Sequence, residues 1–142
     1  MKKLIITVTL LISGLGFFYY KQFPKEVPVS KNINVEVYKT TSYVAPVYEN
    51  STAQLEVTVV RVRNNKKDTV WQHSFKPTEL KDYPGSDKPM LQKITIPNVN
   101  DRKEKLEVYY KVTYDSKGSI LNYWNITTIG RGQQTGKLHI QI

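Results

Sequence analysis

Hydrophobic and polar residues alternate with a period of two along most of the chain from residue 33 onward. Such alternation buries one face of a β-strand and leaves the other in water. Seven segments show the pattern: 33–39 (INVEVYK), 53–63 (AQLEVTVVRVR), 68–75 (DTVWQHSF), 91–96 (LQKITI), 105–114 (KLEVYYKVTY), 120–129 (ILNYWNITTI) and 137–142 (KLHIQI). The pattern predicts an all-β fold, an antiparallel β-sandwich of about seven or eight strands.

The segments between these strands contain typical turn residues. The sequence DSKG at 115–118 places Gly118 for the left-handed position of a bulged hairpin loop, and RNNKKD at 63–68 predicts a second hairpin. The doubled apolar pair Val59–Val60 shifts the alternation and predicts a β-bulge within that strand.

An uncharged segment precedes the alternating body. It runs from Leu4 to Tyr20 after two lysines, and its 17 residues would span about 25 Å as a helix. Aromatic residues favour the membrane–water interface, and the segment ends with a candidate interface group: Phe17, Phe18, Tyr19, Tyr20 and Lys21. The pattern predicts one N-terminal hydrophobic helix over residues 1–20 that serves as an uncleaved membrane anchor.

A secretory signal peptide is the alternative for the same segment, because Gly14 and Gly16 supply small residues for cleavage after Gly16. Residues 21–32 contain two prolines and predict an extended stalk, so the folded domain is expected over 33–142. With an anchor, the chain is a single-pass protein of the inner (cytoplasmic) membrane whose C-terminal domain lies outside the cytoplasm. With cleavage, the domain is secreted or periplasmic.

Composition and charge narrow the possible partners. The chain has no cysteine, which excludes disulfides and thiolate metal sites. Its net charge is +9, but 17 of the 21 basic residues are lysines. Specific nucleic-acid recognition favours arginine, whose planar group pairs bidentately with guanine and phosphate. We therefore expect no specific nucleic-acid partner, while anionic lipid, a glycan or an acidic protein remains open.

No motif of catalysis or cofactor binding occurs, so the sequence predicts a non-enzyme without a cofactor. The glycine-rich loop at 130–137 lacks the spacing of a phosphate-binding loop. His73 and His139 are the only histidines and have no cysteine to complete a zinc site. One cation site stays open: oxygen ligands for calcium from two loops, with Asp82 and Asp87 in one and Asn98, Asn100 and Asp101 in the other.

Two surfaces are candidate binding sites. If Leu121 and Tyr123 belong to the core, the opposite face of their strand exposes Asn122 and Trp124, which could form an aromatic face with Tyr109. The second candidate is an edge strand at 137–142, whose apolar residues are Leu138, Ile140 and Ile142 and which could pair with another chain.

Part of the domain resembles the immunoglobulin and fibronectin type III superfamily. Trp71 follows the VTVVRV strand, where such domains often bury a tryptophan, and the sequence ITIPNVNDRKEKLEVYYKV at 94–112 is similar to their E-to-F region. The cysteine pair of immunoglobulin domains is absent. The resemblance implies a β-sandwich used for adhesion, assembly or chaperoning.

Together these features predict a binding protein outside the cytoplasm. The favoured hypothesis is a membrane-anchored accessory subunit of a bacterial cell-envelope protein assembly. The alternative is a secreted or surface carbohydrate-binding or adhesion module that uses exposed tryptophan and tyrosine side chains.

Overall fold

Eight strands account for most of the residues that the structure, a computed structural model, describes, which are 27–142. The elements are β1 (Val29–Tyr38), β2 (Ser51–Arg63), β3 (Lys66–Ser74), β4 (Thr78–Glu79), β5 (Met90–Val99), β6 (Glu104–Ser116), β7 (Ser119–Ile129) and β8 (Thr135–Gln141), with short 3-10 helices at Pro46–Tyr48 and Leu80–Asp82. The predicted anchor over 1–20, its interface residues Phe17–Lys21 and the first half of the predicted stalk, 21–26, lie outside the described residues. Within 27–142, no helix is long and apolar enough to cross a bilayer.

The strands form two sheets, which confirms the prediction of an all-β sandwich. The smaller sheet has the order β5-β1-β8, and the larger has the order β3-β2-β6-β7, with β4 beside the start of β2. The prediction of purely antiparallel pairing is wrong, because β1 and β8 run parallel, with Val35 opposite Leu138. Strand β7 ends at the end of the sandwich where β1 begins. Because β8 starts from that same end, it runs in the same direction as β1.

The core consists of the inward-facing residues of both sheets, as the alternation predicts. From the smaller sheet it takes apolar residues of β1, β5 and β8, and from the larger sheet those of β2 and β6. The largest fully buried apolar side chains are Ile33, Val35, Val37, Leu55, Val57, Val59, Val99, Leu106, Val108, Val112 and Ile140. Burial of each such side chain stabilises the fold by about 1.5–3 kcal/mol.

The first strand begins at Val29, four residues before the predicted domain boundary, and contains a buried lysine. Lys31 has no exposed side-chain area. Its Nζ donates hydrogen bonds to the carbonyl oxygens of Gly130 at 2.7 Å and Gln133 at 3.0 Å, and lies 2.5 Å from Asp101 Oδ1. This arrangement, the Lys31 clamp, ties β1 to the β5–β6 loop and the β7–β8 loop.

Both predicted hairpins are present, with two-residue loops. Asn64 and Asn65 adopt φ of 48° and 63°, and Lys117 and Gly118 adopt 53° and 86°. Gly118 is left-handed as predicted, but its loop is a tight turn without a bulge, because Ser116 pairs directly with Ser119. The irregularity predicted at Val59–Val60 is a register shift between β2 and β3. The pairing of β2 with β6 is continuous there, so the extra residue belongs to β3.

Candidate functional site

Strand β7 forms one edge of the larger sheet and contains no charged residue. It pairs with β6 along its whole length, and no described strand pairs with its other side. The tight turn before it is held by Asp115, whose Oδ1 accepts the N–H of Gly118 at 3.0 Å. This turn fixes the register and therefore the direction of every β7 side chain.

The other sheet edges have features that discourage a further strand. Edge strand β3 begins with two lysines and contains the register shift. Near its end β5 carries Pro97 and Asn98, the latter at a φ of 56°, and β8 carries Lys137 at its edge. Charges, proline and bulges are the usual protection of native sheet edges. Because β7 has none of them, it is the described edge most open to pairing.

The backbone of β7 has free hydrogen-bonding groups on its open side. In an antiparallel ladder only alternate residues bond to a given neighbour, and the residues that flank a two-residue loop, Ser116 and Ser119, bond to each other. The alternation then directs the N–H and C=O groups of Asn122 and Trp124 to the open side. At the next such position, the N–H of Ile126 donates to Asn125 Oδ1 at 2.7 Å instead.

The outer face of β7 brings the predicted aromatic group together. Trp124 stands opposite Lys111, and Asn122 stands opposite Thr113, whose hydroxyl is 2.8 Å from Asn122 Oδ1. Paired residues share a face, so Trp124, Asn122 and Tyr109 lie on the same side of the sheet. Trp124 is 72% exposed, and Tyr109 is half-buried.

The inner face of β7 is also exposed from Leu121 to Asn125, so the prediction that Leu121 and Tyr123 belong to the core is wrong. Their exposed fractions are 66% and 49%, because the smaller sheet ends at β8 and does not extend over β7. Tyr123 only borders the core, with its ring centre 6.1 Å from that of Tyr110. A depression of about 330 Å3 lies at this position, lined by Tyr110, Tyr114, Leu121, Tyr123, His139 and Gln141.

Sequence reasoning missed the apolar residues that complete this surface. Ile120 and Ile126 are exposed on the outer face, beside Trp124. A local signal was available, since 119–129 is an eleven-residue strand without a charge in a chain that is 23% charged. The exposed apolar and aromatic side chains on the two faces of this strand are Ile120, Leu121, Tyr123, Trp124 and Ile126. We call them the β7 surface.

Tyr109 contributes its hydroxyl to an ion cluster beside the β7 surface. Lys67 Nζ donates to the Tyr109 oxygen at 2.7 Å, and the Tyr109 hydroxyl donates to Glu107 Oε2, also at 2.7 Å. Lys67 and Lys105 pair with the Glu107 carboxylate at 2.9 and 3.0 Å. Hydrogen bonds from Lys67 and then Tyr109 lower the pKa of Glu107 from 4.5 to about 2, and the bond to Glu107 raises the pKa of Lys67.

This cluster predicts an acid-dependent loss of stability. The pKa of Glu107 is lower in the folded state than in the unfolded state. The ionised carboxylate therefore contributes its full stabilisation of the fold above pH 4.5, and this stabilisation is lost as the pH falls towards 2. We expect the free energy of unfolding to fall across this window, and Glu107→Gln to flatten that fall. Urea denaturation at several pH values measures it. Glu56→Gln, which alters a partly exposed carboxylate on the same face, 4.0 Å from Lys111, is the control. Equal slopes for the two variants would contradict the prediction.

The calcium site that the sequence left open is not formed by these residues. Asp82 and Asp87 lie at the end of the sandwich where β1 terminates, whereas Asn98 and Asp101 lie where β1 begins. Strand β5 separates the two groups. Asp101 is engaged by the Lys31 clamp, and its Oδ2 accepts the N–H of Gly132 at 2.7 Å. Asn100 Oδ1 accepts backbone N–H groups of its own turn.

The two histidines lie on different sheets. The ring of His73 on β3 is 5.9 Å from that of Trp71 and 4.6 Å from that of Phe75, centre to centre. His139 Nδ1 on β8 is 2.9 Å from Glu36 Oε2. No group of three or more histidine, cysteine or acidic side chains is placed to hold a metal in the part of the chain that the structure describes.

The C-terminal strand β8 lies at the edge of the smaller sheet, with its apolar side chains inward. Leu138, Ile140 and Ile142 are all buried in the core. Ile142 donates its N–H to the Tyr38 carbonyl oxygen at 2.9 Å, and its own carbonyl oxygen accepts from Thr40 at 3.2 Å. These three side chains therefore stabilise the sandwich, and only the backbone of β8 faces the open edge.

Comparison of the chain with protein-family models, with curated proteins and with solved structures finds no match.

Proposed function

We propose that this chain is a non-enzymatic, membrane-anchored β-sandwich outside the cytoplasm, and that it acts as a binding subunit of a bacterial cell-envelope protein assembly. The observation that carries the proposal is the β7 surface. It combines an unprotected sheet edge with exposed apolar side chains on both faces of the strand. Exposed apolar patches of this kind favour protein partners, and open edges favour strand addition.

The partner in this proposal is a protein that adds an extended, mainly apolar segment beside β7. Backbone groups of Asn122 and Trp124 would bond to the added strand. Its alternate side chains would pack against Ile120 and Trp124 on the outer face and against Leu121 and Tyr123 on the inner face. Because β7 is uncharged, its partner is expected to be uncharged at the contacting positions.

The location and the fold family belong to the same proposal. The uncharged segment 4–20 after two lysines supports a single-pass anchor in the cytoplasmic membrane, with cleavage after Gly16 and secretion as the alternative. Membership of the immunoglobulin-like superfamily is supported by the two facing sheets and by Trp71, which packs against the core.

Site-specific crosslinking in native cells tests the partner. A photocrosslinking residue at Asn122 should capture one protein, and the same residue at Gln72, exposed on edge strand β3, should not. Ile126→Lys should reduce the capture at least tenfold, because strand addition would bury the introduced charge. Gln72→Lys is the matched control for added charge and should leave capture unchanged.

Three outcomes of this experiment would contradict the proposal. Capture that survives Ile126→Lys would show that the β7 surface is not the contact. Equal capture from Asn122 and Gln72 would indicate nonspecific association. A product of twice the mass of the chain would identify a second copy as the occupant in place of another envelope protein.

A carbohydrate-binding or adhesion module is the second candidate. It is supported by Trp124, exposed on the same face as Tyr109 and Asn122, since a flat aromatic side chain with nearby polar groups suits a sugar ring. The hydroxyl of Tyr109 is already engaged by Glu107, which weakens this alternative. Glycan binding that Trp124→Ala abolishes, without any crosslinked protein, would favour it over the subunit.

A further inference from the structure

The strand pairing places widely separated basic residues at one end of the sandwich. Val29 at the start of β1 pairs with Val99 at the end of β5, and Arg63 at the end of β2 pairs with Glu104 at the start of β6. The β5–β6 and β7–β8 loops connect the two sheets at this same end, and the Lys31 clamp joins them. We call this end the basic pole.

The charges of the described residues are strongly polarised. The basic pole holds nine basic residues against four acidic ones: Lys31, Arg61, Arg63, Lys66, Lys67, Arg102, Lys103, Lys105 and Arg131 against Asp68, Asp101, Glu104 and Glu107. The opposite end is balanced, with Lys39, Lys76, Lys81, Lys88 and Lys117 against Glu49, Glu79, Asp82, Asp87 and Asp115. All four arginines of the chain lie at the basic pole.

Three of the four carboxylates at the pole are occupied by internal cations. Asp101 contacts Lys31, and Glu107 contacts Lys67 and Lys105. Glu104 lies 3.7 Å from Arg61 and 3.9 Å from Arg63. Arg102 and Arg131 are exposed on the two loops. Lys66 is exposed on the hairpin between β2 and β3. The pole therefore presents positive charge to solvent.

A depression at the pole has the chemistry of an anion site. Its volume is about 380 Å3, and it lies between the β2–β3 hairpin and the two loops. The lining residues are Val62, Asn64, Asn65, Lys103, Lys105, Gly130 and Arg131. Its polar lining side chains are cations and amides, and one of these cations, Lys105, also pairs with Glu107 at 3.0 Å. An anionic group such as a phosphate matches this set of donors.

The basic pole is also the end from which the N-terminal segment leaves the domain. Strand β1 begins there at Val29. Only residues 21–28 separate it from the uncharged segment, and eight residues span at most about 28 Å. An anchored chain would thus hold this pole, and not the balanced end, next to the membrane.

We propose that the basic pole docks on anionic lipid and that the depression between Asn64, Lys103 and Arg131 receives a lipid phosphate. This inference rests on the proposed membrane anchor. Docking would place the basic pole on the bilayer. Strand β7 would then extend away from the membrane, because it runs between the two ends of the sandwich. The β7 surface would then face a neighbouring membrane protein.

The test uses the full chain, which has no cysteine, with a single cysteine introduced for a fluorophore. Gln134→Cys places the label on the β7–β8 loop at the basic pole, and Ser86→Cys places it at the opposite end. The protein is reconstituted into vesicles that carry a headgroup-attached quencher. We expect strong quenching of the label at 134 in vesicles with 30% phosphatidylglycerol and weak quenching in pure phosphatidylcholine. High salt should remove the difference, and the label at 86 should stay unquenched.

A triple variant separates position from net charge. K66Q/R102Q/R131Q should lower the docked-to-undocked ratio about a hundredfold, since each basic residue near an anionic surface contributes about fivefold. K76Q/K88Q/K117N removes the same charge from the opposite end and should not change the ratio. Equal quenching in both lipids, or equal effects of the two triple variants, would overturn the proposal.

Two further measurements separate the possible failures. Flotation of the protein with pure phosphatidylcholine vesicles tests the anchor alone. If the protein does not float with these vesicles, the proposed anchor is overturned. If it floats only with vesicles that contain phosphatidylglycerol, the result supports lipid binding by the basic pole. Inorganic phosphate at constant ionic strength tests a free ion as the ligand. Thermal stabilisation by phosphate that R131Q abolishes, without any lipid-dependent quenching, would overturn lipid docking in favour of a soluble anion.

Discussion

A chain truncated after Lys137 is expected not to fold. The deletion removes Leu138, Ile140 and Ile142, which are 5%, 0% and 3% exposed. Their burial contributes about 5–9 kcal/mol in total, which is comparable with the whole stability of a typical domain. The deletion also removes the β8 partners of Val35–Tyr38 on one side of β1. Far-ultraviolet circular dichroism and thermal melting should show loss of β-structure and of a cooperative transition.

The control for this truncation changes the same strand without touching the core. His139 and Gln141 are exposed on the other face of β8. His139→Ala combined with Gln141→Ala should retain a cooperative melt close to that of the unmodified chain. A truncated chain with the same melting temperature as this double variant would contradict the placement of β8 in the core.

Lys31→Met is expected to have the largest effect of any single substitution of a charged residue. It leaves the Asp101 carboxylate without its cation and two carbonyl oxygens, of Gly130 and Gln133, without their donor. Loss of one partner of a buried ion pair typically costs about 3–5 kcal/mol. Urea denaturation measures the change in the free energy of unfolding, and the β7–β8 loop should become the most protease-sensitive segment.

Lys93→Met is the matched control, because Lys93 is exposed on the neighbouring strand β5. Its effect should stay within about 0.5 kcal/mol. Adding Asp101→Asn to Lys31→Met should cost less than the sum of the two single changes, because each removes the same interaction. Additive costs would show that the clamp does not act as a unit.

Alternation made the architecture predictable, because a strand with one buried face must place apolar residues at every second position. Strands β1, β2, β6 and β8 follow this rule, and their inward residues form the core. The same rule failed on β7. Leu121 and Tyr123 have the correct period, but burial also requires a facing strand, and none of the described strands of the smaller sheet lies at that position. The alternation of apolar and polar residues along one strand does not predict how many strands the opposite sheet contains.

The calcium hypothesis failed for a related reason. Turn-forming Asp and Asn residues recur in many loops, and their sequence gives no distance between loops. Because β5 runs from one end of the sandwich to the other, the residues before it and after it are kept apart. Asp101 forms an ion pair with Lys31, which lies 70 positions earlier in the chain.

The sequence by itself determined the all-β class, the positions of the main strands and hairpins, and an uncharged segment 119–129, because these depend on residues close together in the chain. Only the tertiary structure decided that no strand within residues 27–142 pairs with the open side of β7, that Lys31 is buried, and that arginines 61, 63, 102 and 131 share one end. The physical reason is that exposure and charge clustering depend on contacts between strands distant in the chain. These contacts follow from the order of strands in the two sheets, which no local pattern specifies.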